Sequence, residues 1–192
     1  MFFIVDDAEH RKRGKHMEAV GWVRDPVTGK SVRGHVYVAA VVTIRGAIFP
    51  WGIRLYAKKE HCRQLGISFA KTTELAAELI ESFTPPPGVK VTVLFDSYYL
   101  CKTVANVCRA KGFRFASTPK ANRDLFRGGR KLKAGSYSGR AYRRGQKKSL
   151  RVGKATYRLV DTAWMEPAYW AWQGCCAGMS QMPVAQSWDT ER

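Results

Sequence analysis

Two runs of apolar residues in this sequence end in the same way. Phe2-Phe-Ile-Val5 stops at Asp6-Asp7, and Thr92-Val-Leu-Phe95 stops at Asp96. An unbroken run of branched and aromatic residues is the pattern of a strand buried on both faces. In an open α/β sheet the loops splay apart at the carboxyl ends of the strands, so a carboxylate delivered there faces a crevice. If the two strands are neighbours, about 4.8 Å apart, Asp6 and Asp96 repel each other unless a cation sits between them. A pair of hard oxygen donors suits Mg²⁺ or Mn²⁺ and leaves coordination positions for water and phosphate oxygens. Either aspartate taken singly also fits the cap of a turn after a strand. The pairing of the two strands decides between these readings.

Other arrangements fail on their spacing. Gly29-Lys30-Ser31 resembles the end of a phosphate-binding loop, but Arg24 stands where that loop needs its first glycine. The histidines His10, His16, His35 and His61 are scattered, and Cys62, Cys101, Cys108, Cys175 and Cys176 form no CxxC pair. Thiols so spaced suit a reducing compartment and no zinc site. The apolar opening lacks the basic flank of a signal peptide, and Val36 to Ile44 is too short to span a bilayer. The expected location is cytoplasmic, with no membrane partner.

The elements that must position the aspartates read as a mixed α/β domain. Phe2 to Val5 is a strand, and the polar stretch Glu9 to Lys15 follows it. Asp25-Pro-Val-Thr-Gly29 is a turn, and His35 to Arg45 is the strongest strand pattern of the chain. Gly46 turns it into an antiparallel partner over Ala47 to Tyr56, where Pro50 and Gly52 mark an edge or a bulge. Leu75, Leu79, Ile80 and Phe83 recur at helical spacing within Lys71 to Phe83, before a Pro-Pro-Pro-Gly stop. Val89 to Phe95 is the second buried strand. Ser97 is expected to cap a helix over Tyr98 to Lys111, closed by Gly112, with Phe113 to Ser117 as a further strand. The segment 134–163 is expected to be β-rich.

Charge divides the chain more sharply than its elements do. The whole sequence has 192 residues with 33 Lys+Arg against 15 Asp+Glu, a net charge of +18. Residues 102–160 hold 18 of those bases and only Asp124 as an acid, whereas residues 164–192 hold four of the six tryptophans and one base, Arg192. A stretch that basic favours phosphate contact over a merely solvated face, and nucleic acid is the first expected partner. At 45% apolar residues the chain is not a low-hydrophobicity disordered polymer.

Taken together, Phe3-Ile-Val-Asp-Asp-Ala8, Lys12-Arg-Gly-Lys15, Gly34-His35, Leu55-Tyr56, Val93-Leu-Phe-Asp-Ser-Tyr-Tyr99 and Lys120-Ala-Asn-Arg123 resemble the DDE transposases of bacterial insertion sequences. The resemblance covers roughly residues 2–160. It implies a ribonuclease H-like catalytic core at 1–123, a basic β-rich insertion at 124–163 and an irregular tail at 164–192, possibly out of frame. Asp6 is then the first catalytic and metal-binding aspartate, with Asp7 as the alternative, and Asp96 is the second. The family uses a two-metal site with Mg²⁺ or Mn²⁺ to cleave DNA and transfer strands. Lys12, Lys120, Arg123, Arg143, Arg144, Lys147 and Lys148 are the expected DNA contacts. DNA is the implied partner, as transposon ends and target, with a nucleoid-associated location and a homodimer when the protein is complete.

The family's third carboxylate has no counterpart at its expected place. In a Tyr-x2-Arg-x6-Glu pattern, Tyr137 and Arg140 match, but Lys147 stands where the glutamate belongs. The expectation is a transposase fragment, truncated in front and interrupted after about Ala163, that cuts DNA poorly. A basic nucleic-acid-binding module without catalysis and another ribonuclease H-like nuclease are the alternatives.

Overall fold

The computed structural model describes residues 1–14, 16–25, 27–127, 130–136, 148–152, 155–159, 166–167 and 186–187, the last four stretches and residue 127 as backbone. Two compact units divide the chain, Met1–Arg114 and Phe115–Arg192.

In the first unit, β1 (Phe2–Arg11) begins the sheet, followed by the short β2 (Gly21–Arg24), the long β3 (Ser31–Ile44) and β4 (Ala47–Tyr56). Two helices, α1 (Lys59–Leu65) and α2 (Thr72–Ser82), lead to β5 (Thr92–Phe95). Helix α3 (Lys102–Ala110) leads to β6 (Arg114–Ala116), which starts where the unit ends. The strand order is β2-β3-β1-β5-β6, with β4 also on β3. β1 is antiparallel to β3 and parallel to β5, so the α/β sheet is mixed.

Alternation along the strands decides what faces the helices. Phe3 and Val5 of β1 are buried, as are Val38, Ala40 and Val42 of β3 and Val93 and Phe95 of β5. Their registers, Phe3 with Val42 and Val5 with Ala40, put them on one face, because directly paired residues project to the same side. Onto that face α2 lays Leu75, Leu79 and Ile80, and Phe83 at its end meets the Phe3 ring at 4.8 Å. Glu74 steadies the start of α2 by accepting the Lys71 N–H at 2.7 Å.

The β3–β4 hairpin runs as its sequence predicts, with Arg45 and Gly46 both at positive φ in the turn. Pairing skips from Ala40–Gly52 to Val41–Pro50, which leaves Trp51 as the extra residue of a bulge. The bulge re-aims the indole: it stacks edge-on against Phe83 at 4.9 Å, and its N–H donates to Ser82 Oγ. The turn at Asp25 is also as predicted, its carboxylate accepting from Val27 N and from Thr28 Oγ1, both at 2.9 Å.

Three expectations change. β1 does not stop at Asp6-Asp7 but continues to Arg11, because β3 offers it an antiparallel partner as far as Gly34. Ser97 caps no helix: Tyr98 and Tyr99 lie in a turn closed by Asp96, and α3 starts only at Lys102, after Cys101. Helix α1 has no counterpart in the sequence reading. It buries only Cys62, against Ala19 and Ala57, too little to mark a helical period.

The second unit contains a hairpin of β7 (Asp124–Arg127) and β8 (Arg130–Lys133), with β11 (Glu166–Pro167) added on β7. It also contains the antiparallel pair β9 (Lys148–Val152) and β10 (Ala155–Leu159), with β12 (Gln186–Ser187) on β10. Among the described residues no helix is long and apolar enough to cross a membrane.

Candidate functional site

β1 and β5 run parallel and in register, Val5 beside Phe95, and the next residue on each is an aspartate. Asp6 and Asp96 thus stand at adjacent positions on the carboxyl edge of the sheet. Asp6 alternates with the buried Val5, so it belongs to the face away from α2.

Each carboxylate is oriented by main-chain N–H groups of its own segment. Asp6 Oδ1 accepts from Asp7 N at 2.9 Å, and Asp96 Oδ1 accepts from Tyr98 N at 2.8 Å and Tyr99 N at 3.2 Å. The acid at Asp6 is held above its ordinary value of 3.8. Partial burial is the main cause; the Asp7 N–H bond opposes it, and the charges of Asp7 and Asp96 add to it. Two carboxylates at adjacent strand ends are a fit donor set for a hard divalent ion, whose charge would offset the cost of keeping Asp6 ionised in its partly buried place. Among the described residues no group of three or more His, Cys, Asp and Glu side chains gathers into a metal site.

Asp7 plays a different part. It shares the face of Phe3 and Val5, and its Oδ1 accepts the Tyr99 hydroxyl at 3.0 Å. Tyr99 is fully buried. Burial first, then the neighbouring Asp7 charge and this hydrogen bond, push its ionisation far above the ordinary 10.0, so the hydroxyl stays a donor. Sequence reasoning missed Tyr99 as a partner of the first strand. The only signal was the Asp-Ser-Tyr-Tyr string, which does not say where the second ring points.

The expected nucleic-acid contacts are spread over both units. Lys12 continues β1 by one residue, its N–H donating to Arg33 O at 2.9 Å. Lys120 and Arg123 bracket a turn closed by Arg123 N to Lys120 O at 2.9 Å. Lys148 opens β9, and Arg143, Arg144 and Lys147 lie outside the described residues, as do Tyr137 and Arg140. The backbone of Glu166 pairs with that of Phe126. Compared with known proteins, the chain matches no family model, no curated protein and no solved structure.

Proposed function

We propose that this chain is the ribonuclease H-like, DNA-handling core of a DDE-type transposase, which binds Mg²⁺ or Mn²⁺ through Asp6 and Asp96. The observation that carries the reading is the parallel, in-register pairing of β1 with β5, which delivers both aspartates to one edge of a mixed sheet. In the family that the sequence resembles, the strands bearing these two aspartates are likewise adjacent and parallel. A divalent ion bound there supplies Lewis-acid stabilisation of phosphoryl oxygens during cleavage and strand transfer. The chain's own residues hold it: Asp6 and Asp96 provide the oxygens, while the N–H groups of Asp7, Tyr98 and Tyr99 fix their rotamers. The bases of residues 102–160 supply phosphate affinity.

Lys147 at the family's glutamate position favours binding without rapid turnover. Losing one electrostatic contributor of this kind costs about 10² to 10³ in rate. The test is nicking of supercoiled plasmid with Mn²⁺, beside the melting temperature with and without Mn²⁺. Wild type should gain thermal stability from Mn²⁺ and nick slowly, and Asp96→Asn should do neither. An equal Mn²⁺ shift in both proteins would remove the basis of the reading, and fast nicking abolished by Glu166→Gln would make Glu166 the third ligand.

A further inference from the structure

We propose that Trp22, Arg33 and Lys12 form a docking subsite for single-stranded nucleic acid on the same sheet face as Asp6. The proposal deepens the functional reading above and rests on it only for the purpose of the strand so held.

Trp22 lies on β2 and is 64% exposed. Its ring has no hydrogen-bond or aromatic partner among the described residues. An indole this exposed leaves its ring accessible to a stacking base. Directly across the ladder is Arg33, and on the far side of Arg33 the main chain of Lys12 donates to Arg33 O at 2.9 Å. Trp22, Arg33 and Lys12 therefore form one row across three adjacent segments. Directly paired residues share a face, so an exposed aromatic residue, an arginine and a lysine are carried at adjacent positions on one side of the sheet. The neighbouring row adds Arg24 opposite Ser31.

The acid nearest in sequence, Asp25, is turned into its own loop, where Thr28 and Val27 hold its carboxylate below the ordinary carboxylate range. Glu9 is of opposite parity to Lys12 on β1. Glu18 contributes its carbonyl to His35 Nε2 at 2.8 Å, which ties the segment between β1 and β2 to the sheet. The row thus combines the two requirements of a single-strand site: a π face that any base can stack on, and cations for the phosphates beside it. A duplex hides its base faces and cannot use the indole.

The experiment is fluorescence anisotropy of the full chain with fluorescein-labelled oligothymidylate, and with a duplex of equal length, in EDTA so that no metal chemistry intervenes. Trp22→Ala and Trp22→Thr should weaken single-strand binding about tenfold, within the range for loss of one stacking platform. Trp22→Phe should retain most of it, and duplex binding should change by less than about twofold. Lys12→Glu with Arg33→Glu should flatten the dependence of log K on log salt by about 1.4, at 0.7 per single-strand contact. Because Trp22 is exposed, melting temperatures should stay near wild type, and Trp22→Thr preserves strand propensity if Trp22→Ala does not fold. Single-strand binding unchanged in folded Trp22→Ala or Trp22→Thr, equal losses for duplex and single strand, or competition by polyglutamate as effective as by unlabelled oligothymidylate would overturn the proposal. Failure of the metal reading shows separately, as an equal Mn²⁺ melting shift in wild type and Asp96→Asn with single-strand binding still dependent on Trp22.

Discussion

Tyr99 donates its hydroxyl to Asp7 Oδ1 at 3.0 Å across 92 positions of sequence, and its N–H donates to Asp96 Oδ1 at 3.2 Å. One buried ring thereby ties the turn that carries the second aspartate to the strand that carries the first. The arrangement also separates the adjacent acids: Asp7 is engaged on the helix side, and Asp6 is on the side of the ladder it shares with Ala39.

Removing that hydroxyl should loosen the edge. Tyr99→Phe keeps the ring in place and deletes a hydrogen bond to a charged acceptor, for which about 1.5–3 kcal/mol is typical. Because Asp7 is exposed and water can replace the donor, the loss should fall near the lower end. Urea unfolding checks this, with Asp7→Asn as the companion variant. A midpoint for Tyr99→Phe equal to wild type would mean that the bond adds nothing to stability.

Asp6→Asn and Asp7→Asn should behave differently toward metal. Asp6→Asn should abolish the Mn²⁺-induced rise in melting temperature, while Asp7→Asn should retain most of it. The pH dependence follows from the raised acid of Asp6. Its folded value lies above 3.8, so proton binding favours the folded state; that stabilisation is complete below the unfolded value and is lost as pH rises through the folded one. Without metal, the stability of Asp6→Asn relative to wild type should therefore increase as pH rises from below 3.8, and saturating Mn²⁺ should reverse the advantage. Chemical denaturation across a pH series reads both effects. A difference that is flat with pH would show that Asp6 is not strained in the apo protein.

How much of this was legible beforehand depended on whether the signal was local. The β3–β4 hairpin, its turn and its bulge follow from Gly46, Pro50 and Gly52, whose backbone preferences act within a few residues. The neighbourhood of Asp6 and Asp96 could be inferred from two apolar runs ending alike, because buried strands put their carboxyl ends at a common edge. The length of β1 could not: Glu9 to Arg11 is polar in sequence and becomes strand only because β3 is long enough to pair with it. The start of α3 was misplaced because Asp96 takes the N–H groups of Tyr98 and Tyr99 before Ser97 can cap anything. The exposure of Trp22 has no local signature at all.

Gly34 sits where β3 leaves no room for a side chain against its neighbours. A Cβ built there would lie 2.7 Å from His10 O and 3.2 Å from a Val23 methyl. The carbonyl belongs to the β1–β3 ladder and cannot move without breaking pairing. Gly34→Ala should cost about 1–3 kcal/mol, the usual penalty of overpacking. Because the strain falls on the β1–β3–β2 junction, single-strand binding through Trp22 should weaken with it. Thermal unfolding provides the check, and a melting temperature unchanged from wild type would show that the junction can open to admit a methyl group.

Affinity for duplex DNA should come mainly from the basic stretch 102–160. Each phosphate contact releases counterion, so log K should fall with log salt by about 0.9 per contact. Changing Arg143, Arg144, Lys147 and Lys148 together to Glu should flatten that slope by several units, and changing Lys120 and Arg123 should remove about two more. The lone acid of the stretch sharpens the test. Asp124 pairs with Lys133 at 2.6 Å and Lys131 at 3.1 Å, and these lysines hold its carboxyl below the ordinary range. Exposed pairs of this kind stabilise the fold by little, so Asp124→Asn should leave the melting temperature nearly unchanged. It should nevertheless release the Lys131 ammonium and free Lys133 of all but its bond to Asn122 O at 3.2 Å, raising affinity at low salt and steepening the slope. A salt titration by anisotropy distinguishes the cases: if Asp124→Asn leaves both affinity and slope at wild-type values, β8 is not part of the interface, and the contacts must be sought among the other bases.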